Sequence, residues 1–197
     1  MIKHIMHLLQ KNFWIILLIL ISIADIVSAL ASSSVHLSAN PSGDAAACIQ
    51  HPSATTCQVQ VSPFGTGKPG AASCAAHASI PALIEVSDPT INEAPIATLQ
   101  VWHSSACHAM FASASTSALL ALQGKYTLTV TLIHQEWWQT TLRETTVRSD
   151  QHEEDKDGIL HAWTPLFYSD DATAKEVEAC ISIIGTRTYD VCTAIGT

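Results

Sequence analysis

The sequence predicts an all-β domain, built mainly of antiparallel strands as a sandwich or small barrel and placed behind an N-terminal export signal. Three observations support that class. Short stretches of alternating apolar and polar residues recur from residue 80 onward, with turn residues between them. All six cysteines follow the first apolar segment. Only 13% of the residues are charged, a composition more typical of extracellular β proteins than of helical cytosolic ones.

Residues 1–31 have the pattern of a secretory signal peptide. A basic start precedes an unbroken apolar run over residues 13–24, and the segment ends in an Ala-x-Ala motif, so cleavage is expected after Ala31. The alternative is an uncleaved tether. A membrane-spanning helix needs about 20 apolar residues, and Asp25 interrupts the run. We therefore expect a secreted protein, attached to a membrane only through this segment if it is not cleaved.

The chain is acidic, with a formal net charge of −8. Without the leader the net charge is more negative, because residues 1–31 contain two lysines, Lys3 and Lys11, and one acid, Asp25. An acidic surface repels phosphate backbones, and no basic stripe interleaved with aromatic residues is present in the sequence. Nucleic acid is therefore excluded as an expected partner.

Six cysteines in an exported chain predict disulfides. Proximity along the chain favours Cys48 with Cys57 and Cys180 with Cys192, which leaves Cys74 with Cys107. Zinc is the alternative use of these thiols, but the sequence has no Cys-x-x-Cys pair, and we predict no metal centre from them.

The first part of the exported chain, residues 32–70, is rich in Ser, Ala, Pro and Gly and has few large apolar residues. That composition predicts a loosely ordered, flexible arm clipped by the first two cysteines, not a separate domain. The disulfide-stapled β domain is predicted over residues 71–197, with its compact part starting near Cys74.

Strands are predicted from residue 80 onward. The first three cover residues 80–86, 95–103 and Ala109–Thr116. The clearest is residues 126–133, where apolar residues occupy every second position and threonines lie between them, as in a half-buried strand. The apolar face of that strand consists of Tyr126, Leu128, Val130 and Leu132.

Later segments continue the pattern. Residues 136–148 place Trp138, Thr140 and Leu142 on one side, and residues 158–168 form a further candidate strand. Residues 172–184 are ambiguous. They fit a short C-terminal helix with an aspartate cap, and their last eight residues fit a strand equally well.

The most highly charged stretch, residues 149–158, partly matches a calcium loop. Glu153, Asp155 and Asp157 stand at alternate positions before a glycine, but Thr164 occupies the position where such loops place a bidentate glutamate. Asp157-Gly158 is also a strong hairpin signal, so the favoured interpretation is a solvated turn with at most weak calcium binding.

Eight histidines follow the leader, and only His103 and His108 cluster with a cysteine, Cys107. Because that cysteine is expected in a disulfide, we interpret these histidines as surface and turn residues. The sequence has no Gly-x-Ser-x-Gly, His-Glu-x-x-His or phosphate-binding glycine loop. It therefore predicts no catalytic site and no cofactor.

Tryptophans are the remaining candidates for function. Trp137 and Trp138 are adjacent, so on a strand they would point to opposite faces, and one would reach solvent. An exposed Trp on a sheet is a common way to stack a sugar or anchor a partner. Trp102 and Trp163 also lie in predicted strands. Coverage of both faces by a second sheet or by the arm is the alternative.

Two stretches carry a family resemblance. Residues 69–78 read Pro-Gly-Ala-Ala-Ser-Cys-Ala-Ala-His-Ala, and residues 96–112 place Ser104, Cys107 and Phe111 at the spacing of a Ser-x-x-Cys-x-x-x-Trp motif. Together they resemble a bacterial secreted domain of unknown function, number 2690 in the DUF series. The resemblance implies export and a small disulfide-bearing domain, and it supplies no catalytic residues.

The resemblance spans roughly residues 67–192, with departures. Lys68 stands where the family has Asp, Phe111 replaces its Trp, and Phe64 falls where it has a preceding Cys. The resemblance offers Cys57 as one candidate to replace that missing cysteine. If it plays that role, the resemblance implies a different partner for Cys57 than the proximity pairing does.

The function favoured by the sequence is a secreted or cell-surface, non-catalytic module that binds an envelope partner or a polysaccharide. Export, a stapled β scaffold and Trp-bearing strands support it. A small secreted hydrolase with catalytic residues dispersed along the chain is the main alternative. A purely structural envelope protein is the third.

The export prediction is tested by the intact mass of the protein recovered outside its producing cell. We expect a chain that begins at Ser32, with all six cysteines alkylated only after reduction, because cleavage follows Ala31 and the thiols are paired. A full-length mass with cysteines that react before reduction would contradict both expectations.

Overall fold

The computed structural model describes residues 35–37, 40–41, 43–57, 60–66, 72–90, 94–136, 139–148, 157–169 and 177–195. Two sheets, each with five strands, face one another as a mainly antiparallel β-sandwich, so the predicted fold class is confirmed. In chain order the elements are β1 (Val35–Leu37), α1 (Ala46–Gln50), α2 (Ala54–Cys57), a 3-10 turn (Ala75–His77), β2 (Ala78–Ser87), β3 (Pro95–Ser104), β4 (Ala109–Thr116), α3 (Ala118–Ala121), β5 (Thr127–Glu136), β6 (Gln139–Arg148), β7 (His161–Trp163), β8 (Phe167–Tyr168), β9 (Val177–Ile184) and β10 (Thr188–Ala194).

The first sheet has the strand order β1-β6-β5-β9-β10, and β1 is parallel to β6 while the other pairs are antiparallel. The second sheet has the order β2-β3-β4-β7, and β8 also pairs with β4. The helices of the described residues have four or five residues each. No helix in this part of the chain is long and apolar enough to cross a bilayer.

The main core lies between the inner faces of the two sheets. Leu128, Val130 and Leu132 of β5 are buried there, as the alternation of that segment predicts, and Tyr126 just before the strand is buried with them. Strand β9 contributes the same period-two pattern, with Ile181 and three neighbours facing inward. The side facing them is built from β3, β4 and β7.

Three predicted segments differ in detail from the structure. Residues 177–184 form a strand, so the helical interpretation of residues 172–184 is wrong there, because alternate burial between two strands outweighs a short helical signal. Residues 158–168 contain two short strands, not one. In β6 the buried side carries Arg143 and Thr145, whereas Leu142 on the predicted apolar side is only half-buried.

Strand β10 has no counterpart among the predicted strands. It lies at the edge of the first sheet, and its alternate residues are exposed, with Asp190 among them. An edge strand of this kind has a polar face and few large apolar residues, so its periodicity is weak in the sequence.

A second, smaller core lies on the outer face of the second sheet. The segment predicted as an arm contributes α1 and α2 to it, so described residues before Cys74 add buried side chains to the β domain. Phe111 on β4 is fully buried at its centre. Both faces of β4 are therefore covered at this end of the strand.

The three disulfides are Cys48–Cys57, Cys74–Cys107 and Cys180–Cys192, which confirms the proximity pairing and not the alternative partner for Cys57. The sulfur atoms of Cys48 and Cys57 lie 3.8 and 3.7 Å from the carbonyl oxygen of Cys107, so the first two bridges pack against each other. The 33-residue separation of Cys74–Cys107 corresponds to a stabilisation of about 3.5–4 kcal/mol on the loop-entropy model.

A buried carboxylate joins the two sheets at one edge. Asp88, directly after β2, accepts a hydrogen bond from the Tyr189 hydroxyl on β10 and an ion-pair hydrogen bond of 2.8 Å from Arg187. Its other oxygen accepts bonds from the backbone N–H and hydroxyl of Thr90. The hydrogen bonds from Tyr189 and Thr90, with the positive charge of Arg187, hold the pKa of Asp88 well below its usual range.

This pKa shift predicts an acid-sensitive contribution of Asp88 to stability. The depressed folded-state pKa means that the contribution is present above the unfolded pKa of about 3.9 and is lost as the pH falls toward the folded value. We expect Asp88→Asn to lower the thermal unfolding midpoint at neutral pH, and the difference from wild type to shrink below about pH 4.

The measurement is thermal unfolding followed by circular dichroism from about pH 7 down to about pH 3. Asp190→Asn is the matched control, because it removes the same charge from an exposed position on the neighbouring strand. A deficit of Asp88→Asn that stays constant over this range, or that equals the control at neutral pH, would show that the carboxylate does not stabilise the fold in this way.

Candidate functional site

A groove of about 320 Å³ crosses the outer face of the second sheet, next to the smaller core. Its volume falls at the lower end of the range usual for small-ligand sites. Its lining comes from β3, β4, β7 and the segment before residue 67, and consists of Phe64, Gln100, Trp102, Ser113, Ala114, Ser115, His161, Ala162 and Trp163.

Strand periodicity places the polar and aromatic groups in this groove. On β3, Leu99 and Val101 are buried in the main core, so Gln100 and Trp102 face outward. The same alternation turns Ser113 and Ser115 of β4 outward, because Ala112 and Ala114 face the main core. On β7, Ala162 faces the core, and the residues on either side of it therefore face the groove.

An aromatic cluster forms one wall of the groove. The Phe64 ring makes edge contacts with three other rings, at centroid distances of 5.9 Å to Trp102, 5.5 Å to Phe111 and 5.4 Å to Trp163. Trp102 is stacked on Phe111 with an angle of only 7° between the ring planes. Such edge-to-face and stacked pairs contribute beyond simple area burial, and they hold the indoles in fixed positions.

Hydrogen bonds fix both indoles further. The Nε1–H of Trp102 donates to the hydroxyl of Ser113 on the next strand at 2.8 Å. The Nε1–H of Trp163 donates to the carbonyl oxygen of Pro41 at 3.2 Å. Trp102 and Trp163 are both half-buried, so each has an anchored edge and a surface that still reaches the groove. The site is therefore ordered before any ligand arrives.

Asn40 attaches the N-terminal segment to β7. Its side-chain Nδ2 donates to the carbonyl oxygen of His161 at 2.9 Å, and its Oδ1 accepts from the backbone N–H of Trp163 at 3.0 Å. The amide thus pairs with the strand as another strand would, and it satisfies two backbone groups next to the groove. Pro41 is buried directly after it and accepts the Trp163 bond.

The groove carries almost no charge. None of its nine lining residues, all in the described part of the chain, is an acid, a lysine or an arginine, and His161 is the titratable one among them. Ser115 and His161 lie opposite each other in the β4–β7 register. A Ser-His pair without a carboxylate among these lining residues lacks the third member of a hydrolytic triad.

The candidates named from the sequence have different outcomes. Trp137 and Trp138 lie outside the described residues, as do the calcium candidates Glu153 and Asp155, while Asp157 is exposed. All six cysteines are paired, so no thiolate remains to bind a metal.

The histidines near Cys107 do not form a metal site with it. Cys107 is bonded to Cys74, His103 lies on β3, and His108 follows in the turn before β4 with a left-handed backbone (φ 44°). A cysteine in a disulfide is not a metal ligand, so the close spacing of these three residues in the sequence reflects a strand-turn-strand connection.

The aromatic site was recognisable in the sequence only in part. Trp102 and Trp163 each stand two residues from a polar side chain that shares their face, Gln100 and His161. That alternation marks an outward position on a strand. Nothing in the sequence shows that the two strands share a face, or that Phe64 from the N-terminal segment lies between their indoles.

The charged side chain of Arg143 is buried inside the sandwich. The Arg143 guanidinium lies 6.0 Å from the centre of the Phe167 ring, and the His134 ring is 4.8 Å from the same phenyl ring. Burial lowers the pKa of Arg143. This arrangement is a cation–π contact within the core and does not open onto the groove.

Comparisons with protein-family models, curated proteins and solved structures find no match to this chain. The resemblance of residues 67–192 to the secreted domain family stays a prediction.

The attachment of Asn40 to β7 predicts a measurable loss on truncation. Asn40→Ala leaves the backbone groups of His161 and Trp163 without their partner, and we expect a loss of about 1–3 kcal/mol in the free energy of unfolding. Urea unfolding followed by tryptophan fluorescence measures it. Ser79→Ala, which removes a long hydrogen bond at an exposed site, serves as the control and should change stability by less than about 0.5 kcal/mol. Equal losses in the two variants would contradict the assigned role.

Proposed function

We propose that this protein is a secreted or cell-surface module that binds a neutral polysaccharide in the groove on the second sheet, without catalysis. The observation that carries the proposal is a pair of ordered indoles, Trp102 and Trp163, flanked on one sheet face by hydrogen-bonding side chains that include no acid, lysine or arginine. The three disulfides are consistent with an extracellular location.

The chemistry of the groove fits a sugar. The C–H faces of a pyranose ring are apolar and pack against indoles, while its hydroxyl groups both donate and accept hydrogen bonds. Gln100 and Ser115 supply side chains with both functions, and His161 adds a ring N–H donor. Because these groups stand on strands and the indoles are already held in place, little conformational entropy is lost when a ligand binds.

The charge distribution favours a neutral ligand over an anionic one. The groove lining has no lysine or arginine to pair with a carboxylate, sulfate or phosphate. The chain as a whole is acidic, with a net charge of −8, and it repels polyanions at long range.

A secreted hydrolase remains the second candidate, and the Ser115–His161 register pair is the observation that favours it. The two interpretations separate in one assay. Release of acetate from an acetylated polysaccharide, abolished by Ser115→Ala, would support hydrolysis, because a Ser-His pair acts on ester bonds. Binding without cleavage supports the module. A structural envelope protein would show neither activity.

The proposal predicts that wild-type protein is retained by an insoluble neutral polysaccharide such as cellulose or chitin. Trp163→Ala removes an indole from the wall and should weaken retention at least tenfold, or about 1.4 kcal/mol. His161→Ala changes an exposed groove residue with little risk to the fold, and a weaker loss is expected. Trp163→Phe keeps an aromatic face and should retain part of the affinity.

Leu122→Ala is the control, because this side chain is 84% exposed and does not line the groove. All variants are checked for folding by circular dichroism before binding is measured. Wild-type protein that no neutral polysaccharide retains, or a folded Trp163→Ala variant with unchanged affinity, would overturn the proposal.

A further inference from the structure

We infer that the groove is one part of a longer binding face, which takes an extended, neutral β-1,4-linked glycan lying across the strands of the second sheet. The inference rests on the proposed function and assigns it a ligand geometry, a length and additional contact residues. Its basis is the register of β2, β3, β4 and β7. In this register the groove residues belong to two straight rows of paired residues, and both rows extend to β2.

The first row runs from one edge of the sheet to the other. Leu83 on β2 pairs with Gln100 on β3, Gln100 pairs with Ser113 on β4, and Ser113 pairs with Trp163 on β7. Directly paired residues on one face are neighbours, so these four side chains follow one another across the sheet. Three of them line the groove, and Leu83 extends it.

The second row lies two residues along each strand. Glu85 pairs with Thr98, Thr98 with Ser115, and Ser115 with His161. Ser115 and His161 line the groove, whereas Glu85 and Thr98 extend the row beyond the groove toward β2. Every position in this row has a polar side chain, which suits a ligand bearing hydroxyl groups along its whole length.

Leu83 and Glu85, the two β2 residues in these rows, both face outward. Ile84, which lies between them in the chain, packs against the main core, and Val86 is buried in it. Leu83 is 53% exposed on the opposite side. An exposed leucine in line with a tryptophan provides an apolar contact for a sugar ring at the far end of the row.

The spacing of the strands matches the ligand. Neighbouring strands lie about 4.8 Å apart, so the four strands span about 14 Å from β2 to β7. The strand spacing is close to the length of one hexose unit in an extended β-1,4 chain. Each strand therefore offers one pair of side chains to one sugar, and a chain of about four units covers the face. A coiled α-1,4 glycan cannot follow a straight row.

The sides and charge of the face restrict the ligand further. Trp102 and Phe111 form the next pair along β3 and β4, and Phe64 stands against them, so an aromatic wall runs beside the first row. On the β7 side the segment at Pro41 lies against Trp163. Glu85 carries the one charge in the two rows and disfavours uronic acids.

The test is titration calorimetry with soluble cello- and chito-oligosaccharides of increasing length. Wild-type affinity should rise with each unit up to about four and then level off, because further units pass beyond the sheet. Leu83→Ala should weaken binding of the tetramer at least about threefold and leave the dimer unchanged, since the dimer occupies the groove near the indoles. Trp163→Ala should weaken both oligomers.

Ile80→Ala is the matched control, because Ile80 is 42% exposed on the same strand and lies outside both rows. No binding of any oligosaccharide or polysaccharide by the wild-type protein would overturn the proposed function and this inference together. Binding that does not increase beyond the dimer, or a Leu83→Ala variant equal to wild type on the tetramer, would overturn the inference alone.

Discussion

The alternation of side chains along β4 is the constraint on which the core, the N-terminal segment and the groove all depend. Met110, Ala112 and Ala114 point into the sandwich, where the facing sheet lies. The intervening positions change character along the strand: Phe111 is buried under the N-terminal segment, whereas Ser113 forms part of the groove. A register shift of one residue would exchange the two faces and destroy both the core and the groove.

One disulfide and the packing of a second disulfide against it, just before β4, explain how a segment with few large apolar residues is held on the sheet. Cys107 is bonded to Cys74, and its carbonyl oxygen contacts the sulfurs of the Cys48–Cys57 bridge. Much of the restraint on this segment comes from lost freedom of the unfolded chain, not from apolar area alone. The same attachment places Phe64 between the indoles of Trp102 and Trp163. A structural feature thereby shapes one wall of the candidate site.

Three of the charged residues that make assigned contacts, Asp88, Arg143 and Arg187, do not line the groove. Asp88 and Arg187 are paired at the edge where β2 approaches the β9–β10 hairpin, and Arg143 packs over an aromatic ring inside the sandwich. The ion pair and the cation–π contact each join different elements of the fold. The groove instead combines fixed indoles with amide, hydroxyl and imidazole groups, and its lining has no acid, lysine or arginine. The absence of lysine and arginine from the groove lining is the physical basis for proposing a neutral sugar and not an anionic ligand.

The sequence by itself determined the properties that depend on neighbours in the chain. The period-two pattern around Leu128 identified a strand and its buried face, and short separations identified the pairing of Cys180 with Cys192. The tertiary structure alone decided which strands are adjacent, because pairing between β3, β4 and β7 joins residues up to 50 positions apart (Ser113 with Trp163) through contacts that local periodicity does not encode. For that reason, the sequence predicted that Trp102 and Trp163 each lie on a strand. It did not predict that both indoles contact Phe64.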